Sequence, residues 1–196
     1  QRYDKVSSAI EQCDHNGILL VLAKNYPLEK TILPANFYDI VEEKNLKVYL
    51  EFPDLLKEGT TGDIKPTKKE RLVVTSDFFG DGQPKMTILD AGLYAFVEVP
   101  ERESHLKGAN VAGFDKAVYG LENTENAPIL FEEGNVLVST TKLSDFNKSR
   151  YAPLKAWQST IGGILSFLSI PVDQESVKWN PLVKPTYLED QSLPND

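Results

Sequence analysis

The sequence contains few of the residues that cross-link small proteins or hold metal ions. Cysteine occurs once among 196 residues, at Cys13, which excludes an internal disulfide and a cysteine-rich metal site. A lone cysteine of this kind is most often a small buried hydrophobic residue. His15 and His105 are isolated from other candidate ligands in the sequence, so we expect solvated loop histidines and no zinc site. We predict no metal and no cofactor.

Long apolar runs and basic charge are also scarce. No run approaches the roughly 20 apolar residues that span a bilayer, so no transmembrane segment is predicted. The first ten residues, QRYDKVSSAI, lack the charged and then apolar pattern of a signal peptide, so an exported form would already have lost its signal. The 29 acidic and 21 basic residues give a net charge of -8. This charge repels phosphate backbones, and nucleic acid is not an expected partner.

Strand-like and helix-like segments alternate along the chain. The run 18–23 is continuously apolar and is followed by Pro27, which predicts a first central strand that is buried on both faces. Apolar residues at helical spacing predict helices at about 34–44 and, after Pro153, at 157–168. Further strands are predicted at 46–52, 71–76, 86–89, 93–99 and 109–114, with a β-hairpin at 128–131 and 135–140.

This order of elements predicts the fold class. Strands that alternate with helices favour a three-layer α/β/α fold with a mainly parallel sheet, in which the hairpin is an antiparallel edge. One domain is expected over 1–170. The lysine- and glycine-containing segment 57–69 is expected to be an exposed loop. The segment 171–196 is rich in proline and polar residues, which predicts a carboxyl-terminal tail or linker.

Polar and aromatic side chains follow several of the predicted strands. Ligands of open parallel sheets bind outside the carboxyl ends of the strands, where the connecting loops converge. We therefore predict a ligand-binding cleft at that edge, and no catalytic residue is assigned. Its candidate binding residues are Asn25, Tyr26, Glu51, Asp77, Phe78, Asp115, Tyr119, Lys142, Arg150 and Tyr151.

Each group of candidates has two open interpretations. Glu51, Asp77 and Asp115 have carboxylates that would bind sugar hydroxyls or, as a suitably spaced pair, hydrolyse a glycosidic bond; alternatively, they cap helices and close turns. The guanidinium of Arg150 would suit a carboxylate such as that of a uronic acid, or it would tether its own loop. The aromatic residues would stack on sugars, or they would belong to the core.

Two sequence blocks carry a resemblance to a known family. These blocks are VAGFDKAVYGL at 111–121 and TTKLSDF at 140–146, the second followed by RYAP at 150–153. Together with a late hairpin that leads to a tryptophan-bearing helix, they resemble the class I glutamine amidotransferase-like fold, including the trimerisation-type domain of some β-galactosidases. More specifically, they resemble a domain of Bacteroidetes-type secreted proteins that lies upstream of six-hairpin glycosidase modules. The resemblance covers roughly 15–170 and implies a flavodoxin-like α/β architecture.

The catalytic apparatus of the active amidotransferase-like enzymes has no counterpart in this sequence. Those enzymes place a cysteine nucleophile on a tight turn between a strand and a helix, beside a histidine and an acid. Cys13 precedes the first predicted strand, and no Gly-x-Cys-x-Gly or Gly-x-Ser-x-Gly motif occurs. Because one fold can host many different activities, the resemblance implies a shared architecture and a shared gene context more than a shared catalytic activity.

The expected function follows from this combination. The resemblance implies a non-catalytic accessory domain of a carbohydrate-active protein, located in the periplasm or at the cell surface, whose partners are a carbohydrate or an attached glycoside hydrolase domain. Two alternatives stay open. One is a hydrolase that uses the strand-end carboxylates, and the other is a free-standing carbohydrate-binding or assembly protein. An oligomer is compatible with each of them.

Overall fold

A seven-stranded sheet organises the chain, which is an α/β protein in its computed structural model. The structure describes residues 1–89, 91–113, 116–144 and 154–171. Its helices are α1 Val6–Gln12, α2 Phe37–Glu43 and α3 Leu154–Phe167. Its strands are β1 Ile18–Val21, β2 Lys47–Glu51, β3 Leu55–Leu56, β4 Gly59–Thr60, β5 Ile64–Pro66, β6 Arg71–Val74, β7 Ile88–Leu89, β8 Ala95–Val97, β9 Leu106–Ala109, β10 Asn126–Glu133 and β11 Val136–Ser139.

The main sheet is mixed, with the strand order β1-β2-β11-β10-β9-β6-β7. The pairs β1–β2 and β2–β11 are parallel, whereas the pairs from β11 to β7 are antiparallel. The predicted hairpin is confirmed as β10 and β11, but it lies in the middle of the sheet and not at its edge. Within the main sheet of the described residues, parallel pairing therefore involves β1, β2 and β11, and the predicted mainly parallel order holds for that part.

The core lies on both faces of this sheet because side chains alternate along the central strands. In β2, Val48 and Leu50 pack with residues of α1 and α2, while Tyr49 packs with residues of α3. From α3, Trp157 is fully buried and joins Tyr49 in one hydrophobic cluster. The predicted helices at about 34–44 and after Pro153 are thus confirmed, and each contributes to the core.

The first strand differs from its prediction. β1 is an edge strand of the sheet, and only Leu19 and Val21 are buried. Ile18, Leu20 and Leu22 are 42%, 50% and 51% exposed. The prediction of a central strand buried on both faces is therefore wrong. A continuous apolar run indicates a strand, but it does not tell whether another element covers each of its faces.

Several other elements differ from the predictions in their bounds or were not predicted. The strand predicted at 109–114 is β9, which begins at Leu106 and ends at Ala109, where its pairing with β6 and β10 ends. Four residues later Gly113 adopts a φ of 130°, and its carbonyl oxygen accepts a hydrogen bond from Arg71 Nη1 at 2.6 Å. The predicted loop 57–69 contains the short strands β4 and β5. Helix α1 was not predicted, and the proposed tail beyond residue 171 lies outside the described residues.

Two neighbouring glycines of α3 allow a matched test of how this helix packs. A methyl group at Gly163 would lie 2.8 Å from Cδ1 of Phe79, whereas one at Gly162 would have no neighbour within 4 Å. We expect Gly162→Ala to raise the free energy of unfolding by about 0.5–1 kcal/mol through helix propensity. Gly163→Ala should lower it by about 1 kcal/mol, because overpacking costs more than propensity gains. Urea unfolding of both variants checks this, and equal stabilisation by the two would contradict the packing.

Candidate functional site

The carboxyl ends of β1, β2 and β11 meet around the side chain of Glu51, the last residue of β2. This carboxylate is completely buried. Its Oε2 accepts hydrogen bonds from the backbone N–H of Ala23 at 3.2 Å and from Oγ of Ser144 at 3.0 Å. Its Oε1 accepts from the backbone N–H of Ser144 at 2.8 Å and from the hydroxyl of Tyr49 at 3.0 Å. Glu51 therefore connects β2 to the segments that follow β1 and β11.

The electrostatics of Glu51 follow from its burial and its donors. Burial raises the pKa of this carboxyl above its ordinary value, while the hydrogen bonds from Ser144, Ala23 and Tyr49 act in the opposite direction. Burial, together with the neighbouring carboxylate, also raises the pKa of the Tyr49 hydroxyl. A carboxylate has about four acceptor positions, and four protein donors occupy them here. All four acceptor positions of the Glu51 carboxylate are thus used in hydrogen bonds within the protein.

Three further predicted residues lie at the same edge. The hydroxyl of Tyr26 accepts a hydrogen bond from the Ala95 backbone N–H at 2.7 Å and lies 3.0 Å from Oγ1 of Thr141. Lys142 follows Thr141 and is half-buried. Asn25 is exposed, and its Nδ2 donates to Glu29 at 2.7 Å. The structure therefore brings Asn25, Tyr26, Glu51 and Lys142 to one edge of the sheet.

A shallow depression of about 440 Å³ opens beside this edge. Lys24, Asn25 and Thr31 contribute polar groups to its wall, while Leu22 and Ile32 contribute exposed apolar surface. We call it the β1 depression. It combines hydrogen-bonding groups with an apolar surface, which is the composition that small-molecule sites use for orientation and for affinity.

The remaining candidates do not share this edge. β6 runs opposite to β2, so Asp77 and Phe78, which follow β6, lie at the other edge of the sheet. Asp77 is exposed and forms an ion pair with Lys85 at 3.0 Å. Tyr119 is 86% exposed and belongs to a segment that pairs beside β7. The single cleft expected from the sequence is thus divided, while Asp115, Arg150 and Tyr151 lie outside the described residues.

A second polar arrangement, not predicted from the sequence, lies at the other edge. Oγ of Ser76 is 2.8 Å from Nδ1 of His105, and Nε2 of His105 is 3.0 Å from Oε1 of Glu132. The ring of Phe78 stacks on His105, with the ring centres 4.0 Å apart and the planes 17° apart. The backbone N–H of Phe78 also donates to Oγ of Ser76 at 3.2 Å. We call these residues the Ser76–His105–Glu132 chain.

The protonation of this chain follows from its chemistry. Burial lowers the pKa of His105 below its ordinary value of 6.5, while hydrogen bonding and charge from Glu132 act in the opposite direction. The imidazole is therefore neutral at pH 7. An ionised carboxylate can only accept hydrogen bonds, so Nε2 carries the ring proton and Nδ1 is an acceptor. It follows that the Ser76 hydroxyl donates its proton to Nδ1.

The sequence contains no local pattern that reveals this chain. Ser76 follows β6, His105 precedes β9 and Glu132 lies in β10, so long stretches of sequence separate the three residues. They meet because antiparallel pairing brings the carboxyl ends of β6 and β10 to the same edge as the amino end of β9. The prediction of a solvated loop histidine at position 105 is wrong, since this side chain is only 18% exposed.

No protein-family model, no curated protein and no solved structure matches this chain.

The residues that the structure describes contain neither a cluster of metal ligands nor a membrane-spanning helix. Within residues 1–89, 91–113, 116–144 and 154–171, no three histidine, cysteine or acidic side chains come together as metal ligands would. None of the helices in these ranges has the length and the apolar character needed to cross a bilayer.

Substitution of Glu51 tests its structural role. In Glu51→Gln an NH₂ group replaces one acceptor oxygen, so at least one buried donor loses its partner, at a cost of about 1–3 kcal/mol for each donor. Tyr49→Phe is the matched control, because it removes one donor but leaves the carboxylate with three, and it should cost about 1 kcal/mol. Urea unfolding at pH 7 measures both. A smaller loss for Glu51→Gln than for Tyr49→Phe would contradict the assigned network.

The Ser76–His105–Glu132 chain makes a prediction about pH. In a histidine-resolved NMR titration, His105 should protonate below pH 6.5, and Glu132→Gln should lower its pKa further by removing the carboxylate that opposes burial. Because the folded pKa is depressed, the stability linked to His105 is fully present above pH 6.5 and is lost as the pH falls through the folded pKa. A His105 pKa above 6.5, or one that rises in Glu132→Gln, would exclude this geometry.

Proposed function

We propose that this chain is an accessory domain of a carbohydrate-active protein that does not cleave glycosidic bonds itself. The observation that carries the proposal is the state of Glu51, whose acceptor positions are occupied by four protein donors. A glycosidase needs two carboxyl groups that face one substrate. Glu51 is buried and saturated, and Asp77 lies at the opposite edge of the sheet, so these two acids do not form such a pair.

The β1 depression is the proposed sugar-binding surface. Sugar hydroxyls both donate and accept hydrogen bonds, and the Lys24 ammonium and Asn25 amide offer groups of both kinds. Both side chains are exposed, and they lie beside the apolar side chains of Leu22 and Ile32. Polar and apolar groups side by side suit the hydroxyl groups and C–H faces of a sugar ring. A ligand here would reach the carboxyl edge of the parallel strands, as in open α/β sheets generally.

We further propose that the architecture is the three-layer, flavodoxin-like arrangement of the class I glutamine amidotransferase-like fold. Two features support it. The residues of α1 and α2 pack against Val48 and Leu50, while those of α3 pack against Tyr49, on the other side of β2. The strands β1 and β11 both pair in parallel with β2, as neighbouring strands do in that fold.

The proposed setting is extracytoplasmic, with a glycoside hydrolase domain attached to the same polypeptide. The sequence blocks at 111–121 and 140–146 support this part, since they resemble domains that precede six-hairpin glycosidase modules. A full-length gene that encodes such a module after residue 196 is the expected finding. Hydrolysis of glycosides by the isolated chain would contradict the accessory role.

Binding measurements test the proposed surface. Calorimetry with a panel of neutral and uronic-acid oligosaccharides should detect binding to the wild-type chain. Lys24→Ala and Asn25→Ala should each weaken the affinity by about tenfold, the effect of losing roughly 1.4 kcal/mol of polar interaction. Each of these exposed side chains is expected to contribute little to stability, so the melting temperature should stay nearly constant.

Tyr119→Ala is the matched control for that experiment. Tyr119 is exposed, but its segment pairs beside β7, at the other end of the sheet order from β1. It should leave the affinity unchanged. Loss of binding in Tyr119→Ala alone would assign the sugar to a stacking surface around this ring, and absence of binding to the whole panel would overturn carbohydrate recognition by this domain.

A further inference from the structure

The Ser76–His105–Glu132 chain has the arrangement of an activated hydroxyl nucleophile. A serine hydroxyl becomes nucleophilic when an adjacent base accepts its proton and a third group orients that base. Here Oγ of Ser76 lies 2.8 Å from Nδ1 of His105, and Oε1 of Glu132 lies 3.0 Å from the other ring nitrogen. Both distances are within the range for hydrogen bonding between catalytic partners.

Two contacts fix the orientation of these groups. The face of the His105 imidazole is covered by Phe78 at 4.0 Å, which limits rotation of the ring. Oγ of Ser76 accepts a hydrogen bond from the backbone N–H of Phe78, which selects one rotamer of the serine. A neutral His105 whose Nδ1 lacks a proton can then accept the proton of Ser76. The residues are thus held in the protonation state that a general base requires.

The arrangement is also accessible to a ligand. His105 retains 18% and Glu132 retains 44% side-chain exposure, and Ser76 is half-buried. The depression at Glu132 is lined by five glutamates (Glu58, Glu101, Glu103, Glu132 and Glu133) and by two cations, Lys57 and Arg102, so acidic groups predominate there. These negative charges disfavour an anionic substrate. A neutral ester is the substrate class that agrees with this electrostatic environment.

We propose that Ser76 is the nucleophile of an esterase site that hydrolyses neutral short-chain acyl esters, with His105 as general base and Glu132 as a positioning residue. This activity is independent of sugar binding at the β1 depression. It lies at the opposite edge of the sheet, and it uses none of the residues assigned to that surface.

The reaction balances with water as the co-substrate. Oγ of Ser76 attacks the ester carbonyl carbon while its proton moves to Nδ1 of His105, and the carbonyl π electrons move to the carbonyl oxygen. As the C=O bond re-forms, the bond to the alcohol oxygen breaks, and the alcohol leaves with the proton from His105. Water then attacks the acyl-serine and gives its proton to Nδ1. Collapse of that intermediate releases the carboxylic acid and returns the proton to Ser76.

A fluorophosphonate probe, which reacts with activated serines, tests the proposal on the wild-type chain. The expected result is the incorporation of one phosphonyl group, located at Ser76 by peptide mass spectrometry, together with hydrolysis of p-nitrophenyl acetate above the buffer rate. Absence of phosphonylation at Ser76 would overturn the proposal. Modification of other serines alone would overturn it as well.

Three variants distinguish the roles of the nucleophile, the general base and the positioning residue. Ser76→Ala should abolish labelling, and His105→Gln should slow it by roughly 100-fold or more, the range that general-base catalysis provides. Glu132→Gln should slow labelling by roughly 10⁴-fold, the loss expected when the acid that orients a catalytic histidine becomes an amide, while any label stays on Ser76. Thermal unfolding by circular dichroism establishes that each variant is folded. A folded His105→Gln that labels at the wild-type rate would overturn the role of His105.

Ser8→Ala is the control for nonspecific reaction of exposed hydroxyls. Ser8 is an exposed serine in α1, away from the Ser76–His105–Glu132 chain in the sequence and in the hydrogen-bond network. Labelling and ester hydrolysis should be unchanged by this substitution. Because sugar binding is measured by calorimetry at different residues, failure of the esterase test leaves the proposed accessory function in place, and failure of sugar binding leaves the esterase test unaffected.

Discussion

The position of the β10–β11 hairpin sets the strand directions that place the Glu51 network and the Ser76–His105–Glu132 chain at opposite edges of the sheet. The hairpin turns at Gly134, which adopts a φ of 62° that few residues other than glycine accept readily. It inserts β11 beside β2 in parallel and leaves β10 antiparallel to both of its neighbours. From β10 onward, each strand runs opposite to the one before it. The carboxyl ends of the strands are therefore divided between two edges.

That division explains which parts of the site could be predicted. The rule that ligands collect at the carboxyl ends of strands correctly grouped Asn25, Tyr26 and Glu51, because β1 and β2 are parallel. The same rule misplaced Asp77, since it assumed that β6 was also parallel to β2. Strand direction depends on pairing partners far away in sequence, and hydrophobic periodicity contains no information about it.

The helices and strands themselves were more predictable than the elements that pack or pair next to each of them. Apolar spacing identified α2 and α3, and the Glu-Glu-Gly sequence at 132–134 identified the hairpin, because periodicity and turn chemistry are local properties. Burial of β1 on both faces was predicted wrongly, since its exposed face depends on what packs next to an edge strand. The contacts of His105 were missed because its partners are distant in sequence: Ser76 follows β6 and Glu132 lies in β10.

Glu51 is a buried carboxyl group whose hydrogen bonds join three segments of the fold. Removing a carboxylate from water costs several kcal/mol, and hydrogen bonds offset this cost only when they satisfy its oxygens fully. The four donors to Glu51 come from the segments after β1 and β11 and from Tyr49 on its own strand. An apolar side chain at this position would leave the N–H groups of Ala23 and Ser144 without the acceptor that Glu51 gives them. Glu51 therefore favours one arrangement of these loops over the alternatives, and the shape of the adjoining β1 depression depends on that arrangement.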